Sequence, residues 1–217
     1  MRIAAIIPTY NRPGELLRAL LSVVNQTRQP DEICIVGDGC DPLAWKLVEL
    51  FSNFTAARHN IGFFMHNLDA GGGPFGWKAR NVGIQNSTSE LIAYLDDDNE
   101  WFPRHLELLE KKLVETNADL VWCGFILIPP KPFTDRHIPR DVPPGASMYS
   151  EIESGEILHT RKALDLMPNL ETGIWWQRPI NGASGEECIF VDRLRTGGAK
   201  CVPLAEPLEY YYWGKHS

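Results

Sequence analysis

Leu91-Ile92-Ala93-Tyr94-Leu95-Asp96-Asp97-Asp98-Asn99-Glu100-Trp101-Phe102-Pro103 decides how this chain reads. A mostly apolar run passes straight into three carboxylates. The pattern predicts a buried strand, Leu91 to Leu95, that empties into an acidic loop. In an extended segment alternate side chains share a face, so Asp96 and Asp98 are expected to point the same way. Two hard oxygen ligands at a strand's carboxyl end suit Mg²⁺ or Mn²⁺, which binds one or two carboxylates together with a substrate's phosphates. A short acidic run is otherwise a solvated turn. The apolar strand before it and Trp101 to Pro103 after it favour a ligand-binding loop, since ligands gather at strand carboxyl ends.

Upstream, Ile3 to Ile7 is an apolar run of strand length, broken by Pro8-Thr9-Tyr10-Asn11-Arg12-Pro13. Leu16, Leu17, Leu20, Leu21 and Val24 follow at helical spacing, with Pro13 in the first turn. Ile33 to Val36 is a second strand, ending in Gly37-Asp38-Gly39-Cys40-Asp41, and Leu43 to Phe51 a helix. A third strand lies within Ala56 to His66. After Gly71-Gly72-Gly73-Pro74, a helix from Gly76 to Gln85 carries Lys78, Arg80 and Asn81. Pro103 to Thr116 is an amphipathic helix.

This alternation predicts an α/β fold with a parallel, doubly wound sheet. Loops after the first, second and fourth strands would bring Tyr10, Arg12, Asp38 and Asp96 to Asp98 into one crevice. Beyond residue 117 the pattern changes. Asp119 to Ile128 reads as a strand, and Pro129 to Tyr149 as a long loop of the kind that forms lids. Glu156 to His159 reads as a strand, Arg161 to Leu166 as a short helix and Glu186 to Thr196 as a helix. Lys200 to Tyr212 reads as short strands broken by Pro203 and Pro207. The whole is one domain with two halves, 1–117 and 118–217.

Composition excludes several classes. A net charge of −7 argues against a nucleic-acid binder. It leaves room for an anionic small substrate, because a metal supplies local positive charge. The five cysteines are odd in number, scattered and without C-x-x-C spacing, which indicates neither a zinc site nor a disulfide framework. A reducing cytoplasm fits best. Met1 leads directly into a strand-like run without a signal peptide. The longest apolar run, Leu120 to Ile128, is far short of the ~20 residues of a membrane helix.

Five motifs in order now resemble a known family. Pro8-Thr9-Tyr10-Asn11-Arg12, Val36-Gly37-Asp38-Gly39, Ala79-Arg80-Asn81-Val82-Gly83, Leu95-Asp96-Asp97-Asp98-Asn99 and Gly185-Glu186-Glu187 resemble the inverting family 2 glycosyltransferases of the GT-A fold. The resemblance covers nearly the whole chain. It implies transfer of a sugar from a nucleotide diphosphate donor, often a uridine one, to a hydroxyl acceptor such as a glycan or glycolipid. The first half then becomes the nucleotide-sugar half and the second the acceptor half. Pro8, Thr9, Tyr10 and Arg12 would line the nucleotide pocket, and Asp38 would accept from the base edge. Lys78 and Arg80 would contact the donor, as would Asp96 and its neighbour Asp97. Asp98 would hold Mn²⁺ or Mg²⁺, with His216 resembling a late histidine that joins the metal in some members. Glu187 occupies the position of the catalytic base. The resemblance also implies action at the inner face of a membrane, as a peripheral or homo-oligomeric protein. The chain departs from the family in having Gly37 and Asn99 where Asp is usual, and Glu187 where the base is usually Asp.

Each residue has a plainer rival. Asp38 between two glycines suits a turn, and Arg80 with Asn81 suits an exposed helix face. Glu186 and Glu187 suit the first turn of a helix. Trp175 and Trp176 are either core or an acceptor-stacking pair, and His159 is either a core histidine or an acceptor-side group. His216 near the end suits a frayed tail. Two other functions stay open: a sugar nucleotidyltransferase, for which Pro-Thr-Tyr-Asn-Arg is a poor phosphate loop, and a non-catalytic nucleotide-sugar binder.

Overall fold

The structure is a computed structural model describing residues 1–217 apart from 70–75, 132–133, 144–145, 147, 149–151, 169–172, 178–184 and 213–217. Its central strand, β1 (Ile3–Thr9), is buried along its whole length. It pairs in parallel with β2 (Glu32–Gly37) on one side and β4 (Leu91–Tyr94) on the other. The expected third strand is β3 (Gly62–Asn67), parallel to β2. The connecting helices are α1 (Pro13–Val24), α2 (Pro42–Ala56) and α3 (Trp77–Asn86), and α4 (His105–Thr116) follows β5 (Glu100–Trp101).

Sequence sets these elements locally. Pro13 opens α1 with a φ already suited to a helix, and Leu16, Ala19, Leu20, Val23 and Val24 then bury one face. Each fully buried Leu or Val contributes about 1.5–3 kcal/mol. The Asp41 carboxylate accepts from the Leu43 and Ala44 N–H groups at 3.0 and 2.9 Å, capping α2. Alternate β1 residues serve opposite faces: Ile3, Ala5 and Ile7 pack with α1, α2 and α4, while Ile6 packs with Ile84 of α3 and Trp122.

The second half is mixed rather than parallel. It contains β6 (Leu120–Lys131), β7 (Thr134–His137), β8 (Ile157–Thr160), α5 (Glu186–Thr196) and β9 (Cys201–Tyr212). The strand order is β3-β2-β1-β4-β8-β6-β9-β5, with β7 added against β6. β8 runs antiparallel to both β4 and β6, and β9 runs parallel to β6.

Three expectations are corrected here. The stretch read as a loop from Pro129 begins as sheet, because β6 continues to Lys131 and β7 returns against it. Pro203 and Pro207 do not break β9. The register against β6 shifts between Trp122 and Gly124, so an irregularity absorbs the missing N–H groups where Pro203 and Pro207 face the partner strand. The segment after the acidic run is not all loop: Glu100 and Trp101 form β5, paired with Tyr210 and Glu209. All five cysteines are free thiols. Among the described residues no helix is long and apolar enough to cross a membrane.

Candidate active site at the carboxyl edge of the sheet

The loops after β1, β2 and β4 do converge. The Asp38 N–H donates to the Thr9 carbonyl at 2.9 Å, and the Leu95 N–H donates to Ile6 at 3.0 Å. The acidic segment is a turn, closed by the Asn99 N–H on the Asp96 carbonyl at 3.1 Å. Strand alternation therefore stops before it, and the three aspartates part company. Asp97 turns inward and is buried, where it accepts from the Thr9 hydroxyl at 2.8 Å and the Tyr10 N–H at 3.2 Å. Burial, only partly offset by Arg12, raises its pKa to about 6. Asp97 and Thr9, expected at the donor, instead fasten β1 to the acidic turn. Pro8 is also buried, against the space left by Gly76.

Asp98 is held by Arg12 at 2.8 Å. Asp96 accepts from Arg80 and from the Ser154 hydroxyl, the latter at 2.9 Å. Arg80 was expected to present a cation to the donor. It is instead buried, bonded to Asp96, Glu186 and the Ser154 oxygen, with its guanidinium 4.8 Å from the Trp176 ring centroid. Lys78, one turn-face away on α3, is exposed.

Asp38 has one carboxylate oxygen buried without a hydrogen-bond partner among the described residues. Burial raises its pKa, against the pull of Lys78. A Cβ on Gly37 would sit 2.4 Å from the Asn67 side-chain oxygen, which accepts from the Cys40 N–H at 2.9 Å. The space beside Gly37 is thus filled from β3, and a side chain there would have to displace Asn67. Tyr10 is 54% exposed.

On the other side of Arg80, Gly185 and the first turn of α5 place Glu186 and Glu187. The acidic first turn and Arg193 and Arg195 in the last turn both suit the helix dipole. Glu187 is half-buried and folds back over Gly185, where an added Cβ would lie 2.6 Å from its Oε1. Burial, with help from Asp96, raises its pKa, while its own N–H, Arg80 and a hydrogen bond with Glu153 oppose the shift.

Sequence reading missed Glu153, Ser154, Glu156 and Glu209. Glu153 caps the 3-10 turn before β8 that Ser154 opens, and Glu209 sits on β9. Glu156 is fully buried, accepts from the Glu153 N–H at 2.7 Å and faces His137 at 3.4 Å. Burial raises it to about 7. Glu209, also fully buried, is raised well above the ordinary range. A lone carboxylate in the aromatic run from Leu208 to Tyr212 was the available signal.

Trp176 and His159 are corrected as acceptor contacts. Trp176 is buried and stacked on Phe190, and His159 is buried against Tyr94, whose hydroxyl it meets at 2.8 Å. Burial lowers His159 to about 4, so it is neutral. Asn81 fixes the Trp175–Trp176 backbone by accepting from both main-chain N–H groups and donating to the Trp176 carbonyl. Trp175 stays half-exposed. His216 lies outside the described residues. Among those described, no three His, Cys, Asp or Glu form a metal-ligand set. The described residues therefore hold no ready-made metal site, and Asp98 is met by Arg12.

Comparison with known proteins accords with this geometry. Residues 4–178 match the family described as Glycosyl transferase family 2. The succinoglycan biosynthesis protein ExoW of Rhizobium meliloti is 32% identical over 127 residues, which is 57% of this chain and 37% of ExoW. TarS of S. aureus in complex with UDP-GlcNAc superposes with a TM-score of 0.68 at 18% identity, covering 100% of this chain and 60% of that one. The mannosyltransferase PcManGT of Pyrobaculum calidifontis, in complex with GDP-Man and Mn²⁺, gives 0.71 at 15% identity, covering 100% and 58%. The chain therefore spans less than two thirds of these relatives, and shares with the two structures a GT-A fold. With the family match running through β1, the acidic turn and the Trp175–Trp176 pair, the chain belongs to glycosyl transferase family 2.

Proposed function

We propose that this chain transfers a sugar from a uridine-diphosphate donor to a hydroxyl of a glycan or glycolipid, with inversion at the anomeric carbon. The observation that carries the reading is Glu187. Its carboxylate is raised by burial against the pull of Arg80, which bonds both Asp96 of the acidic turn and the neighbouring Glu186. A general base works best with a pKa near the working pH. In the proposed step the acceptor O–H gives its proton to Glu187 and its oxygen bonds to the anomeric carbon. The bond from that carbon to the diphosphate breaks, and its electron pair leaves with the diphosphate.

On the donor side, the unpaired Asp38 oxygen supports a hydrogen bond from a base-edge N–H, since an unmet buried acceptor costs about 1–3 kcal/mol until a donor arrives. The exposed Tyr10 ring supports stacking on the base, and Lys78 and Arg12 supply charge toward phosphates. Asp98, with His216 as a further candidate, would hold a divalent cation. When bound, such a cation neutralises charge on the leaving diphosphate. The names of TarS with UDP-GlcNAc and of ExoW support the uridine donor and the glycan acceptor.

The test is release of nucleoside diphosphate from UDP-GlcNAc, UDP-glucose and GDP-Man, with Mn²⁺ or EDTA. Mn²⁺-dependent release is expected, falling ~10²–10⁴-fold in Glu187→Gln while UDP binding persists. Tight UDP binding with no turnover, unchanged by that substitution, would identify a non-catalytic binder instead.

A further inference from the structure

Helix α2 carries two stripes of residues, and the fold covers one of them. Ala44, Val48, Ser52 and Thr55 are buried. Beside them run Leu43, Leu47, Leu50 and Phe54, which are 73%, 46%, 57% and 56% exposed. Successive residues turn by about 100° around a helix, so α2 cannot lay both stripes on the sheet at once. A single exposed leucine needs no explanation. Four large apolar side chains on one line do, and their steps of four, three and four residues alternate as in a coiled-coil seam.

Opposite charges mark the two ends of the stripe. Asp41, at the N-cap, is exposed and accepts from the Leu43 and Ala44 N–H groups through Oδ1. Arg58, just past the last turn, is also exposed, with its guanidinium 3.4 Å from the Phe54 ring centroid.

We propose that α2 is a self-association surface, on which a second copy of this chain lays its own α2 antiparallel across a two-fold axis between Leu47 and Leu50. Such a contact uses the same patch on both copies. It sets Leu47 against Leu50 of the second copy, and Leu43 against Phe54. Asp41 then meets Arg58 of the second copy, two residues out of step, which is about 3 Å along the axis and within the reach of an arginine. That ion pair forms twice, and the two helix dipoles oppose each other favourably. A parallel arrangement would set Arg58 against Arg58 and Asp41 against Asp41. Charge therefore selects the orientation.

Charge also selects the occupant. A helix that lies in a membrane surface is rich in Lys and Arg along its polar face. The charged residues of α2 are Lys46 and Glu49, which cancel. The seam is one helix of 15 residues. That is short of the ~20–30 residues a side of a standard interface, so the dimer belongs to the weak, reversible class. None of this depends on the reading of Glu187 as the base.

The experiment is sedimentation equilibrium of the full chain. A monomer–dimer equilibrium is expected across ~1–200 µM, the range of weak interfaces. Leu47→Glu should weaken it ~100-fold or more, because each substitution acts twice and buries a charge. Arg58→Glu should weaken it ~10-fold and Asp41→Ser, which keeps the cap, ~3-fold, as befits exposed ion pairs. Val114→Glu on α4, where the valine is 58% exposed, should leave it unchanged. All four positions are exposed, so thermal midpoints at low concentration should match the wild type. Cross-linking with a short bis-maleimide reads the orientation. Leu43→Cys mixed with Phe54→Cys should give a linked dimer of one copy of each, and neither variant alone should. A chain that stays monomeric to ~200 µM overturns the inference, including one that floats with anionic phospholipid vesicles through Leu47. Dimers that survive Leu47→Glu, or that Val114→Glu weakens equally, overturn it too. So does cross-linking within either cysteine variant alone at the yield of the mixture.

Discussion

The two halves of the crevice handle negative charge in opposite ways. On the donor side each aspartate of the turn is met by a positive or hydroxylic partner: Asp97 by Thr9, Asp98 by Arg12, Asp96 by Arg80. On the acceptor side Glu153, Glu156, Glu187 and Glu209 crowd together, and burial raises all of them. Burial also raises Asp97 and Asp38 on the donor side, so the two sides differ in how their carboxylates are partnered rather than in whether any is raised. Arg80 belongs to both, since it touches Asp96 on one side and Glu186 on the other. The difference suits a site where a phosphorylated donor meets an acceptor that must lose a proton.

The sharpest way to break the comparison is to remove each half's arginine. Arg80→Met leaves Asp96 and Glu186 facing each other across a buried gap. Breaking a buried pair in this way costs about 3–5 kcal/mol. Arg12→Met removes a cation whose side chain is 35% exposed, where an ion pair is worth about 0–1 kcal/mol. Chemical denaturation should show this ordering. Equal losses in the two variants would mean that Arg80 does not join the halves.

Acidity separates the halves next. Glu156 at about 7 and Glu153 at about 9 both lie above the value of 4.5 expected when unfolded. A raised carboxyl adds stability that is fully present below its unfolded pKa and is lost as pH rises through its folded pKa. The thermal midpoint of ligand-free protein should therefore fall between about pH 6.5 and 8.5, by on the order of 1 kcal/mol per pH unit. The buried His105 and His159, lowered to about 3 and 4, act only below that window. Glu156→Gln should flatten the neutral part of the curve. A midpoint that holds steady or climbs with pH would contradict the raised carboxyls of Glu153 and Glu156.

The same division governs what could be read from the sequence. β1, β2 and β4 were legible because each is an apolar run that ends in Pro, Gly or Asp, and a parallel strand must be apolar on both faces. Convergence of the three loops followed from that topology. The inward turn of Asp97 did not, because strand alternation says nothing about side chains once a turn has closed. In the second half the signals misled. Paired tryptophans look alike whether they stack on a sugar or on Phe190. Pro203 and Pro207 argue against a strand unless the partner's register slips, and that slip depends on Gly124, far away in sequence. Glu153 and Glu209 matter through each other and through Glu187, a tertiary relation that spacing does not encode.

The smallest effect tests the donor side at Asp38. If it were only a turn residue, its carboxylate would bond its own backbone, and Asp38→Ala would cost stability with no effect on nucleotide. Among the described residues one of its oxygens is buried without a partner, and burial raises its pKa, so the charged form is a liability in the empty protein. Asp38→Ala should then leave the unfolding midpoint unchanged or slightly higher. UDP affinity, by isothermal titration calorimetry, should weaken ~10-fold, the worth of one hydrogen bond to a charged acceptor at about 1.5 kcal/mol. A destabilised variant that binds UDP as tightly as the parent would return Asp38 to the turn.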